Sequence, residues 1–174
     1  AYKAFAEEVR KLDKNRIILT MDSLPRPAAW HRRHERSWKQ DSREQFAEML
    51  LASNESMDVI CGHLYGDSLG RFDRTLKASE VLRVALDVAG RAGKPLVIEE
   101  FGSDEKKGAE VARKEFEQVL SAIERTRVPM AALWVYDFEG QKDTFNVSAS
   151  SRAYQLKAIS AANARMRADG VPGE

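Results

Sequence analysis

Lys94-Pro95-Leu96-Val97-Ile98-Glu99-Glu100-Phe101-Gly102 decides how this chain is read. Leu96 to Ile98 is a tight apolar run with the character of a short buried strand, and two carboxylates stand where it ends. Pro95 sits at the strand's start, where a missing N–H costs little. Gly102 allows a sharp turn directly after the acids. A buried parallel strand that ends in acid and then turns is how an α/β protein sets catalytic groups at the carboxyl edge of its sheet. Side chains alternate along a strand, so Glu99 and Glu100 are expected to point opposite ways, with one of them facing a site. The competing reading is a surface acid or an N-cap ahead of the next helix.

Working outward, the flanking sequence alternates between two periods. Residues 1–13 place Tyr2, Phe5, Val9 and Leu12 at helical spacing among charges, an amphipathic helix. Arg16 to Met21 is a β-rich run, and the prolines at 25 and 27 begin a loop that extends to about residue 40. Asp41-Ser42 then caps a helix, with Gln45 completing a capping box and Phe46, Met49 and Leu50 as the buried stripe. Asp58 to Cys61 opens a second strand, which ends in Gly62-His63-Leu64-Tyr65-Gly66-Asp67. A helix over 79–92 follows, with Ser79 as N-cap, and Gly93 closes it just before the opening stretch. A helix near 107–126, a strand over 129–136, a loop over 137–149 and a helix near 151–167 complete the pattern, with a polar tail after Ala168.

Strand–helix alternation of this kind demands parallel strands with crossover helices packed on the sheet. No linker divides the chain, so it reads as one unit. The strands begin near residues 16, 57, 95 and 130, so each unit takes roughly 40 residues and eight would take about 300, within the range of a barrel. The strand ends carry Asp22, His63, Tyr65, Glu100 and Trp134, which would converge on one rim. That concentration favours half of a (β/α)8 TIM barrel over a small open sheet with helices on both faces. A Rossmann sheet should show a Gly-rich phosphate turn after its first strand, and Asp22-Ser23-Leu24-Pro25 is not one. Gly90-Arg91-Ala92-Gly93-Lys94 lies before a strand rather than after it.

Composition narrows the function classes. The chain has 174 residues, 43% apolar and 32% charged, with a formal net charge of +1. That charge points to neither nucleic acid nor a membrane surface as a partner. The single cysteine, Cys61, excludes an internal disulfide framework. No apolar run approaches a membrane span. The chain starts at Ala1 without a signal peptide or a Met, as a mature product or a piece of a longer chain would. No cofactor or metal ion is expected.

The order strand–His63-Leu64-Tyr65, strand–Glu100-Phe101-Gly102, strand–Leu133-Trp134 resembles the last three strands of the family five glycoside hydrolases and their clan. Those enzymes are (β/α)8 barrels that cleave β-linked polysaccharides such as cellulose and mannan with retention of configuration. The doubled acid in Ile98-Glu99-Glu100-Phe101-Gly102 is similar to the mannanase-like branch. The resemblance covers nearly the whole chain as strands five to eight. It implies Glu100 as nucleophile, His63 and Tyr65 as groups that orient it and contact the sugar, and Trp134 as the platform beneath a pyranose ring. It also implies a carbohydrate substrate and a secreted or periplasmic setting.

Retaining hydrolysis needs a second carboxyl group about 5–5.5 Å from the first. In the family that group is the Glu of an Asn-Glu pair ending strand four. Asn54-Glu55 of this chain falls between a helix and the next strand, at the amino-terminal face, so Glu55 reads as a helix-terminal surface residue. Strands one to four are then missing, and the missing N-terminal half, or a second copy of the chain, is the expected partner. Read from the residues alone, His63 is equally a structural histidine, Tyr65 rim packing and Trp134 core. The loop after the first strand carries Trp30, Trp38 and five cations, Arg26, Arg32, Arg33, Arg36 and Lys39. In a barrel such a loop suits a carbohydrate cleft, an anionic glycan included, while tryptophans anchored on the barrel are the plainer alternative. A non-catalytic carbohydrate-binding or scaffold relic of the same barrel, and a small nucleotide-binding α/β module, are the alternative functions.

Overall fold

The structure is a computed structural model and describes residues 1–168 and Gly170. The polar tail expected beyond Ala168 lies, apart from Gly170, outside the described residues. A three-stranded parallel sheet has the order β1 (Ile60–Leu64), β4 (Leu96–Phe101), β5 (Met130–Leu133). The chain crosses from β1 to β4 through α4 (Ala78–Ala92) and from β4 to β5 through α5 (Ala109–Thr126). Helix α3 (Arg43–Asn54) precedes the sheet and α6 (Ala153–Ala168) follows it.

Within this sheet each strand therefore pairs with the next of its members along the chain. The helices follow the same order, α3 on α4, α4 on α5 and α5 on α6. Their apolar faces enter one core, with Phe46 and Leu50 from α3, Leu82 and Val88 from α4, Phe116 and Val119 from α5, and Ala162 from α6. From the sheet, Ile60, Leu64, Leu96, Ile98 and Phe101 join the same core. The sheet's other face holds only a small apolar cluster, Val59, Cys61 and Val97. Helices confined to one face, in chain order, make this a sector of a (β/α)8 barrel rather than an open doubly wound sheet.

The local chemistry explains the boundaries. Ser42 caps α3, its hydroxyl accepting from Gln45 N while the Gln45 side chain accepts from Ser42 N. Asp41, expected to share that cap, instead anchors α2 (Ala29–His34), a helix within the stretch that reads as loop from its sequence. Its buried carboxylate accepts from Trp30 N, His31 N and the His31 ring at 2.8–3.1 Å. Helix α4 starts one residue earlier than expected, after Lys77 rather than at Ser79, and Glu80 accepts from Lys77 N. Gly93 closes it in the left-handed conformation, with φ 65°. A small hairpin, β2 (Gly70–Arg71) with β3 (Arg74–Thr75), was not foreseen. Its two turn residues, Phe72 and Asp73, both have positive φ, and Phe-Asp carries none of the Asn-Gly signal such a turn usually shows.

Two expectations fail at the near edge of the sheet. Arg16–Met21 runs alongside β1 but is not a strand. Side chains take the backbone groups a ladder would need: Ile18 N donates to Asp58 Oδ2, Met21 N to Glu99 Oε1, and the Thr20 backbone bonds the Cys61 sulfur. Met21 also has φ 61°, outside any strand conformation. Helix α1 (Tyr2–Leu12) forms, but its apolar stripe is not buried: Phe5 is 58% and Leu12 90% exposed, and only Ala6 is fully covered. At the far edge β5 ends at Leu133 rather than Tyr136, and Met130 is exposed.

Candidate active site

The carboxyl ends of β1 and β4 bring His63, Tyr65, Glu99 and Glu100 together. Their meeting depends on a register irregularity. Cys61 pairs with Val97 and Gly62 with Ile98, but His63 pairs with Glu100, so β4 carries one residue more than β1 at this point. Such a bulge breaks the alternation of side chains. The expectation that the two acids point to opposite faces is therefore wrong. Both carboxylates reach the His63 ring, Glu100 Oε2 at 3.2 Å from Nδ1 and Glu99 Oε2 at 3.9 Å from Nε2.

The two acids differ in their surroundings. Glu100 Oε2 accepts from the Tyr65 hydroxyl at 2.7 Å, and its side chain keeps 15% exposure at the rim. Glu99 is deeper, with a side chain 4% exposed, and Oε1 accepts from Met21 N. Burial raises the Glu99 carboxyl above the usual carboxylate range, against opposing bonds from Cys61 and Met21. Burial likewise pushes the Cys61 thiol up to about 11, so it is protonated and unreactive at neutral pH.

The far wall comes from the segment after β5. Trp134 N donates to Phe101 O at 2.9 Å, and the indole N–H donates to Gln141 Oε1 at 2.9 Å. The Trp134–Val135 peptide is cis. The Trp134 carbonyl approaches Gly102 so closely that any Cβ there would collide with it, which is why the turn after Glu100 requires glycine. Phe145 returns from the following loop to meet the Tyr65 ring edge-on at 5.6 Å between centroids. Arg152 ties that loop down through the carbonyls of Lys142, Thr144 and Asn146. A depression of about 320 Å³ opens here, lined by Tyr65, Gly102, Ser103, Asp104, Lys107 and Phe145 among others.

The remaining sequence candidates lie apart from this cluster. Trp30 is committed to the helix layer: its indole N–H donates to Glu48 on α3 at 2.8 Å and its ring stacks on His34. Trp38 is 77% exposed, with the Arg32 guanidinium 4.1 Å above its ring. Asn54 is structural, its amide donating to Leu50 O and accepting from Cys61 N, and Glu55 is exposed at the end of α3. Sequence reasoning missed Ser23, 3.4 Å from His63 Nδ1, as well as Gln141 and Phe145. Loop residues that arrive through tertiary folding carry no local signal. Among the described residues no cluster of His, Cys, Asp or Glu has metal-binding geometry, and no helix is long and apolar enough to cross a membrane.

No family model and no curated protein matches the chain. Solved structures do. The chain superposes on an endo-1,4-β-mannanase from Rhizomucor miehei with a TM-score of 0.65 and 17% identity, covering 95% of this chain and 45% of that one. A hyperthermostable endo-1,4-β-D-mannanase from Thermotoga petrophila gives 0.61 and 14%, covering 94% and 50%. A glycoside hydrolase family 5 mannosidase from Rhizomucor miehei gives 0.59 and 12%, covering 96% and 47%. The chain thus has the fold of part of such a barrel and spans about half the length of these structures.

Proposed function

We propose that this chain is the C-terminal half, strands five to eight, of a retaining glycoside hydrolase acting on a β-linked glycan of mannan or glucan type. On this reading residues 1–174 are one unit, completed by an N-terminal half-barrel or by a second copy. The observation that carries it is the convergence on Glu100 Oε2 of the Tyr65 hydroxyl and His63 Nδ1, at the carboxyl ends of adjacent parallel strands. The Tyr65 hydroxyl donates to this rim carboxylate and the His63 ring stands against the same oxygen, which fixes its direction. Glu100 attacks the anomeric carbon, the glycosidic C–O bond breaks, and the leaving oxygen takes a proton from an acid supplied by the other half. Water then displaces Glu100 from the glycosyl ester. Trp134, its indole edge fixed by Gln141, offers a ring face to the sugar, and exposed Trp38 extends the surface.

The test is mechanism-based labelling of the completed barrel with a 2-fluoroglycoside, followed by peptide mass spectrometry. A label on Glu100 is expected, and a label on Glu99, or on neither, overturns the assignment. One observation favours a non-catalytic carbohydrate-binding reading: the second carboxylate of the cluster, Glu99, is buried behind His63 rather than standing across a cleft. A glycan that raises the melting temperature of the completed barrel without being hydrolysed would establish that reading instead.

A further inference from the structure

Apart from Ser103 Oγ, the buried polar side-chain atoms at this site without a hydrogen-bond partner are His63 Nε2 and Glu99 Oε2. They face each other at 3.9 Å. That is too long for a hydrogen bond and leaves no room for a third group between them. The rest of each group is already committed. Glu99 Oε1 holds Met21 N, and His63 Nδ1 lies between Glu100 Oε2 at 3.2 Å and Ser23 Oγ at 3.4 Å.

We propose that Glu99 is a positioning residue for the nucleophile: one proton held between Glu99 Oε2 and His63 Nε2 keeps the imidazole turned with its Nδ1–H on Glu100. The inference rests on Glu100 being the nucleophile. An Nδ1–H donating to the Glu100 carboxylate leaves Nε2 either as a lone pair or as a second N–H. A lone pair requires Glu99 to carry the proton, and a second N–H requires Glu99 to be ionised. Two bare acceptors, or two protons, facing each other in a buried gap would each leave a group unsatisfied and cost stability. A single shared proton satisfies both atoms. The bulge in β4 gives this arrangement its geometry: Glu99 shares the inner face with Val97, and strict alternation would have sent Glu100 to the helix side with Ile98, away from His63.

The surroundings favour the form with the proton on Glu99. Burial raises its carboxyl, and the charge of Asp22 acts in the same direction. The other titratable groups facing the pair are the Cys61 thiol and Tyr65 on β1 and Glu100 on β4. Cys61 stays protonated through the neutral range. Glu100 is the charge the pair serves.

The experiment reads protons rather than turnover. In the chain labelled with ¹⁵N-histidine and ¹³C-glutamate, the His63 ring is expected to carry its proton on Nδ1 near neutral pH. The Glu99 carboxyl carbon and the His63 nitrogens should change with pH at a shared inflection. Glu99→Gln should abolish the shared inflection and move the imidazole titration to lower pH by about one unit or more. An Nε2–H tautomer, or independent inflections for Glu99 and His63 in the wild-type chain, would overturn the proposal without reference to any variant. An unmoved His63 titration in folded Glu99→Gln would do the same. Failure here leaves the labelling of Glu100 untouched, and failure of that labelling leaves these spectra untouched.

Discussion

The two faces of the sheet are built to different degrees of completion. On the helix side, four helices close over β1, β4 and β5, and Leu50, Leu82 and Val88 lose all contact with solvent. On the other side, Val59, Cys61 and Val97 form a small patch bordered by the buried carboxyl of Glu99. Around that patch Ile17 is 67% and Met130 60% exposed, one at each edge of the sheet. The helix layer packs on itself, whereas the inner face carries only this small apolar cluster. The candidate site lies on this sparsely covered side, at the rim where β1 and β4 end.

This contrast makes predictions that can be ordered by size. The largest belongs to the rim. In the completed barrel, Glu100→Gln should lower hydrolysis by several orders of magnitude while the melting temperature barely moves, because the amide oxygen still accepts from Tyr65. Glu99→Gln should lower hydrolysis far less. Steady-state kinetics of the two variants side by side would break the assignment if the losses were reversed.

The next effect is one of packing, and it separates the faces directly. Leu82→Ala on α4 opens a cavity in a closed core and should cost the chain about 2–5 kcal/mol in denaturant unfolding. Met130→Ser on the exposed edge should cost the isolated chain about 0.5 kcal/mol or less. Equal costs would mean that the inner edge is covered after all. Trp134→Ala should weaken oligosaccharide binding about tenfold, measured by calorimetry, with most of the stability kept. A collapse of folding with no binding defect would make Trp134 a core residue.

The smallest effect is a pH dependence. Glu99 has a folded pKa raised above its unfolded value. Its contribution to stability is therefore fully present below the unfolded carboxylate range and fades as pH rises through the folded value. Glu99→Gln removes that loss. The variant should melt slightly above the wild type near neutral pH, and the advantage should vanish near pH 4. A gap that widens on acidification would contradict the burial argument.

Much of this was legible in the sequence, and the misses have physical causes. Periodicity gave the helices and the three parallel strands, because apolar spacing is what the layered core demands. His63, Tyr65 and Glu100 were legible as a set because each ends a strand. Arg16–Met21 has the composition of a strand, but Asp58, Cys61 and Glu99 take its backbone groups, and no local pattern shows that competition. That Glu99 and Glu100 share a face escapes the sequence for a similar reason: the bulge that turns Glu100 inward depends on the register between two strands distant in sequence. The apolar stripe on α1 was read correctly as amphipathic, yet its partner surface is not in this chain's fold. Trp30 was a plausible sugar contact by composition, and the hydrogen bond to Glu48 directs it to the helix layer instead.

The state of the chain in solution tests most directly whether it is half of a catalytic barrel. Light scattering of the purified chain should give a dimer or larger assembly, because an exposed apolar sheet edge seeks a partner. The same sample assayed on soluble mannan and glucan should be inactive, since Glu100 faces no acid across a cleft. Co-expression with a complementary N-terminal half should give a 1:1 complex with hydrolytic activity. A stable monomer that hydrolyses either glycan by itself would contradict the half-barrel reading and the placement of Glu55 outside the site.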